Sequence, residues 1–461
     1  CHSGCEQVEA MGWESLPDIL LEDIFAMVNI KSRYRASLVC RHWYRAFYAP
    51  RAWDTFVLED DMLCTRKFLI HTGWNYFINQ YKVQMLLNRI AHNWKRLVIQ
   101  PMNSFYNMYE FVSITSGWIG ACNERGIENP LPQLRVFKFR FNCCDTSILG
   151  GHSTLGTGGK FLEELCFLLR RFVGLQELEL QHLLLEKRDA STLLDDTLAN
   201  SGDTLRTLRV IDCAKVPHPF LHVGLFFNLR KLIISPNHVD EDVVHLLGFT
   251  RVRLVVLYQD AYTCQCPPVA WDAWKSLSRQ APRLRIEMTL VGRSRTEMVL
   301  QPRAAVRTIL YASRYSVLRI DTLMFIVENY ARTLEVFGHQ LLPRVHRPKS
   351  FHDRADSGLV LLARTCTRLH TLIVRERVST ATLLLIASYG ESLEHFLVRR
   401  NAVILRSDWP PNPMWTDDYY AWLKESSRSY DAVEREVSVK LRRPWKMMTD
   451  DEFKWINLIN A

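Results

Sequence analysis

Apolar positions along this chain fall into two regimes. Between residues 13 and 58 they recur at helical spacing, with Leu20, Leu21, Ile24, Phe25 and Val28 forming an apolar face too broad for a short helix to hide against itself. Ser15 stands where a helix cap is expected and Pro17 falls in the first turn. Ser32 is the expected cap of a second helix, in which Val39, Trp43 and Phe47 fall four residues apart along one stripe, flanked by Leu38 and Cys40, until Pro50 stops the run. Two or three short helices of this size bury little surface, so the module is expected to be completed by another domain or another chain.

From about residue 90 the pattern changes to a repeated spelling, LxxLxLxxN and its relatives. It is clear in LRVFKFRFN from Leu134, LRTLRVIDC from Leu205, NLRKLIISPN ending at Asn237 and SLEHFLVRRN ending at Asn401. Looser copies begin near Trp94, Leu175, Ala281, Tyr315, Leu334 and Leu369. Between the copies lie amphipathic stretches such as DEDVVHLLGF and TATLLLIASYG, whose period is helical. Each unit therefore reads as a short strand plus a helix, and stacking such units gives a curved parallel sheet with outer helices, because no unit can bury its apolar face alone. Spacing is irregular before Leu205 and between Asn237 and Tyr315, where insertions are expected. After Asp408 the chain carries Trp409, Trp415, Tyr419, Tyr420, Trp422, Trp445 and Trp455, too many aromatic residues for a disordered tail, and a cap on the last repeat is expected there. The expected partition is 13–58 for the helical module, 59–405 for the repeats and 406–461 for the cap, an α/β chain overall.

Composition narrows the class. With 461 residues, 48% hydrophobic and 23% charged, the chain is expected to be a folded soluble protein of several domains or one repeat array. Its formal net charge of +9 favours acidic partners but is spread too evenly for a dedicated nucleic-acid binder. Stretches such as Val378 to Gly390 stay below the roughly 18 apolar residues of a membrane span. Twelve scattered cysteines in so large a chain suggest a reducing compartment, cytosol or nucleus. The chain begins at Cys1, which leaves room for residues upstream.

Catalytic patterns are weak throughout. Cys143-Cys144 and Cys264-Gln265-Cys266 are too close for zinc-ligand spacing, and neither is followed by a second pair. The glycine-rich LGGHSTLGTGGK places Gly151 and Gly156 as in a phosphate loop, but Thr157 stands where the lysine must follow. No GxSxG elbow is present. Neither a metal nor a cofactor is implied, and an enzyme acting through an unrecognised site is the weakest reading.

The order and spacing of Leu16, Pro17, Leu20, Leu21, Ile24, Phe25, Val28, Val39, Cys40, Trp43 and Trp53 resembles the F-box consensus, with Ile19 in place of an acidic residue and Ser32-Arg33 in place of Asp-Leu. The segments WDAWKSLSRQAPRLRIEM, DSGLVLLARTCTRLHTLIV and VSVKLRRPWKMM extend the similarity to F-box only proteins across most of the chain. The resemblance implies that the N-terminal face binds a Skp-type adaptor, which links the chain to cullin and RING subunits. The protein would then be a non-catalytic substrate receptor of a ubiquitin ligase, its partners performing catalysis and its targets being ubiquitinated and degraded. An F-box scaffold or nucleic-acid-associated protein without a degradative role is the alternative. In the repeats, positions alternating with the buried leucines should face outward. They are Arg96, Lys138, Arg140, Arg209, Lys231, Arg283, Arg285, Arg319, Arg375 and Arg399, against Glu177, Glu179, Glu287 and Asp321. A basic inner face that captures an acidic or phosphorylated target is expected from them.

Overall fold

The computed structural model describes residues 13, 16–71, 73–141, 156–294, 296–344 and 350–456. Ser15, Cys143-Cys144 and most of the glycine-rich stretch lie outside them. The chain divides into two compact units, Cys1–Arg209 with Cys213–Lys215, and Val210–Asp212 with Val216–Ala461. No helix among the described residues is long and apolar enough to cross a membrane.

The first unit opens with three short helices, α1 (Asp18–Met27), α2 (Ile30–Ser37) and α3 (Arg41–Phe47). No side chain caps α1; it starts behind Pro17, and Asp18 in its first turn complements the helix dipole. The expected Ser32 cap is corrected, because Asn29 supplies the capping oxygen and accepts the Ser32 N–H at 2.9 Å. The single helix expected up to Pro50 is in fact two. Cys40 adopts extended backbone and its Sγ accepts the Trp43 N–H, so α3 begins afresh and Val39 leaves the stripe of Trp43 and Phe47. Arg33, which stands in place of the leucine of the F-box consensus, is buried. Its guanidinium lies 4.7 Å over the Trp53 ring and donates to the carbonyls of Ala52, Ala26 (3.3 Å) and Val28 (3.0 Å), and burial lowers its pKa to about 10.

Strands β1 (Thr55–Leu58), β4 (Arg96–Ile99), β5 (Val136–Arg140) and β6 (Glu177–Gln181) follow in the same unit and pair in that order, all parallel. An antiparallel hairpin of β2 (Cys64–Leu69) and β3 (Gly73–Ile78) stands apart from this sheet. Helices α4 (Gln80–Ile90), α5 (Phe105–Glu124) and α6 (Gly159–Arg171), with the shorter α7 (Lys187–Thr192) and α8 (Asp195–Ser201), intervene between strands. The register aligns Phe56, Leu97, Phe137 and Leu178 as one rung, each without exposed surface. Phe56 stacks on Trp94 at 4.7 Å and Phe137 meets Phe172 at 4.9 Å. Burying each such side chain contributes about 1.5–3 kcal/mol, which is why the alternation sets the register. The unit boundary runs within β7 (Thr207–Ile211).

The second unit continues with parallel strands β8 (Lys231–Ile234), β9 (Leu254–Gln259), β10 (Arg285–Gly292), β11 (Val306–Ser313), β12 (Val336–His339), β13 (Thr371–Val374) and β15 (His395–Val398), and a minor pair, β14 (Val378–Ser379) and β16 (Val403–Ile404). Helices α9 (Glu241–Leu247), α10 (Trp271–Gln280), α11 (Ile320–Tyr330), α12 (Asp356–Thr365) and α13 (Thr380–Tyr389) alternate with them. The helical module followed by parallel strand–helix repeats is an α/β, leucine-rich-repeat-like architecture. The copy placed at Tyr315 is corrected: the strand of that repeat is β11, spelled VRTILYAS, and the leucine-rich text after Tyr315 leads into α11. Along the open face of the sheet Gly338 stands in a rung with Leu310, Ile373 and Leu397, and a Cβ there would lie 2.4 Å from that of Ile373.

Residues after Asp408 add α14 (Asp417–Ser426), α15 (Tyr430–Leu441) and α16 (Asp450–Lys454) to the end of this unit. The Trp409 indole N–H donates to Thr382 Oγ1 at 2.8 Å and that of Trp415 to the Tyr389 hydroxyl at 2.9 Å, fastening the segment to α13. Trp445 stacks on Phe396 at 5.4 Å and donates to its carbonyl, while Met448 N–H donates to Val398, so carbonyls of β15 are satisfied. Beyond this edge Phe453, with no exposed surface, packs with Leu310 and Ile373, joined by Val336, Leu397 and Met448.

Candidate partner-binding surfaces

The helical module separates into inward and outward residues. Leu21 and Phe25 are almost wholly buried, Phe25 edge-on to Trp43 at 6.0 Å, so these two expected contact residues are corrected to core positions that hold the helices together. Pro17, Leu20, Ile24 and Val39 are exposed, and Leu16, Val28, Cys40 and Trp43 are half-buried. Exposed Ile19, Met27, Tyr34 and Leu38 add to the apolar surface, and 60% of Val39 faces solvent. Position 16 is held from behind, the Leu16 carbonyl lying 3.1 Å from His42 Nε2. Together these residues leave a patch of apolar surface on the three short helices.

The open face of the sheet is less basic than the sequence implies. In the first unit Glu179, 1% exposed, lies among three of the expected target-binding cations. Arg140 Nε is 2.5 Å away, Lys138 and Arg209 are each 3.7 Å away, and Lys138 also pairs with Glu177. Arg96 is exposed at the start of β4. In the second unit the face is apolar at its centre, where Ile211, Ile233 and Val256 pack with Leu254 and Tyr258. Lys231 and Arg285 stand beside Glu287, whose carboxyl is raised by burial and lowered again by those two cations, and Arg283 is exposed nearby.

One expected target residue, Arg375, is corrected, and two others fall outside the strand positions from which they were assigned. Arg375 has no exposed side-chain surface; it follows the last residue of β13, outside the alternation that assigned it, and turns inward to donate to the carbonyls of Ser313, Gln340, Leu341 and Ser316. Arg319 is the residue before α11 rather than a strand position, and it pairs with Glu297 at 2.8 Å and Asp321 at 3.4 Å. Arg399 follows β15 and is held by Asp450 of α16 through two hydrogen bonds of 2.7 and 2.9 Å. Four thiols, Cys64, Cys166, Cys266 and Cys366, are pushed up to about 11 mainly by burial, which disfavours the thiolate a nucleophile needs.

Comparison with known proteins supports the module's identity. Residues 13–59 match the F-box-like family. Two curated relatives are both named F-box/LRR-repeat protein 21. The Bos taurus protein is 22% identical over 308 residues, covering 62% of this chain and 63% of its own length. The Ovis aries protein is 24% identical over 294 residues, covering 60% and 59%. The chain thus spans about three-fifths of the length of these relatives. The match and the similarities support an F-box protein with leucine-rich repeats. Sequence reasoning missed the exposed β2–β3 hairpin, whose signal was present as alternating aromatic residues around Thr72-Gly73, and the buried role of Arg33, whose only signal was its departure from the consensus leucine.

Proposed function

We propose that this chain is the substrate-recognition subunit of an SCF-type cullin–RING ubiquitin ligase, docking a Skp-type adaptor through its N-terminal helices and holding a target on its repeats. The observation that carries this reading is the F-box-like match over residues 13–59 together with the exposed apolar surface of Pro17, Leu20, Ile24 and Val39 on the same helices. Cullin and RING subunits would join through the adaptor, and proximity to the loaded enzyme would raise the target's effective concentration. Ubiquitination and degradation of the target follow from that role. The C-terminal segments quoted above resemble F-box only protein thirty-three, and less closely thirty-nine.

The test is co-purification of the full chain with adaptor and cullin. Replacing Leu20 and Ile24 together by Asp, or Leu16 and Pro17 by Ala, should reduce adaptor binding well over tenfold, because each apolar Å² left uncovered forfeits about 25 cal/mol. The melting temperature should stay near that of the parent for the Leu20/Ile24 pair, whereas Phe25→Ala should unfold the module itself. A Leu20/Ile24 double variant that remains folded and binds adaptor with parental affinity sinks the docking assignment.

A further inference from the structure

The β2–β3 hairpin is a two-stranded sheet whose apolar residues face water, and two strands alone are marginally stable in water. Its ladder phase is set at the base, where Asn79 N–H donates to the Leu63 carbonyl at 2.9 Å. With the register Cys64↔Ile78, Arg66↔Tyr76 and Phe68↔Trp74, that phase turns the backbone groups of Thr65, Lys67 and Leu69 toward β3 and those of Cys64, Arg66 and Phe68 outward. The two outer edges differ. That of β3 is occupied by the Asn107 side chain, which accepts from Ile78 N–H at 3.0 Å and donates to the Tyr76 carbonyl at 2.8 Å. On β2, Cys64 accepts from the Lys82 ammonium at 2.9 Å, and among the described residues no strand pairs with the edge at Arg66 and Phe68.

We propose that this edge of β2 is a strand-addition site for an extended acidic segment of a partner protein. An open apolar edge is a liability unless something covers it, and here the chemistry of the cover is specified on both faces. One face presents Phe68, Trp74 and Tyr76, with Phe68 60% and Trp74 58% exposed, so alternate residues of an added strand must be apolar. The other face carries Lys67 beside the same edge. Arg66 and Lys67 lie on this strand and the Lys82 ammonium sits at its start on the Cys64 carbonyl, against Asp60 and Asp61 just before it. The remaining residues of the strand are therefore best met as carboxylates. Arg66 lies 4.7 Å over the Trp74 ring, so a ring face that a nucleobase would need for stacking is already taken, which disfavours single-stranded nucleic acid. The proposal stands independently of adaptor docking, since it uses none of the same residues.

The test uses the full chain and a fluorescein-labelled peptide alternating valine and glutamate over seven residues, with a valine–lysine peptide as counterpart. Fluorescence polarisation should show saturable binding of the acidic peptide, at least tenfold tighter than its counterpart. Lys67→Glu should weaken it tenfold or more. Phe68→Pro, which removes an outward N–H while leaving the β2–β3 hydrogen bonds in place, should do the same, whereas Phe68→Leu should retain binding. Amide exchange at Arg66 and Phe68 should slow when the peptide is added, a readout that depends on pairing at this edge. Equal binding of the two peptides, no saturable binding, or no protection at those two amides overturns the proposal. Co-sedimentation with phosphatidylserine vesicles that is lost on Ile70→Glu, without peptide binding, would make the hairpin a membrane contact and overturn it as well.

Discussion

A guanidinium that reaches no solvent is tolerated only when its N–H groups find acceptors, and Arg375 meets that condition with carbonyls at the end of β11 and in the loops after β11 and β12. Arg375→Ala should therefore cost about 3–5 kcal/mol of stability in urea unfolding, because it strands several buried carbonyls at once. A binding defect without that loss would contradict its structural role. His238 gives the complementary case. Its ring is fully buried, with Nδ1 2.9 Å from the His218 carbonyl, and burial lowers its pKa from 6.5 to about 3. In that interval the unfolded chain binds the proton and the folded chain does not, so stability is present above pH 6.5 and is lost as pH falls toward 3. The slope attributable to this residue is about 1.4 kcal/mol per pH unit, and His238→Gln should flatten the stability profile between those limits if it folds.

At the level of elements, the repeated spelling located the strands whose helix-side residues are large and apolar, as in Leu97, Phe137, Leu178 and Leu208. It failed where a strand lacks the leucine phase. Strand β11 carries Ile309 and Tyr311 toward the helices, and β9 carries Val255 and Leu257, so neither spells the motif although both bury the same face. Likewise, capping at Asn29 and Cys40 could not be read because several residues nearby offer a capping atom and only the backbone decides among them. The outward cations of β5 and β7 were legible as positions but not as a cluster, since their neutralisation depends on β6 lying beside β5 and bringing Glu179 among them. Glu179→Gln should expose the repulsion of Lys138, Arg140 and Arg209 and lower stability by about 3 kcal/mol at low salt. Adding salt should recover part of the loss in a thermal-melt series, because those cations are partly solvated. A variant indifferent to salt would mean that the ion pairs contribute little.

Across the whole molecule the units have different ends to protect. In the second unit the residues after Arg443 cover β15 and carry Phe453 onto the open face of the sheet, so the segment both satisfies edge carbonyls and buries apolar area. Phe453→Ala should cost about 3–5 kcal/mol, the usual range for emptying a buried aromatic site. Removing residues 444–461 should do more than destabilise. It would expose Leu310, Ile373 and Leu397 together with the backbone edge of β15, and an apolar face beside an unpaired edge is the arrangement that promotes association between chains. The truncated chain should therefore show concentration-dependent self-association in light scattering and stronger binding of a hydrophobic dye. The adaptor binding proposed for the F-box-like residues should be unchanged, because those residues belong to the other unit. A truncated chain that stays monomeric and binds no more dye than the parent would show that the segment is not what protects this end of the sheet.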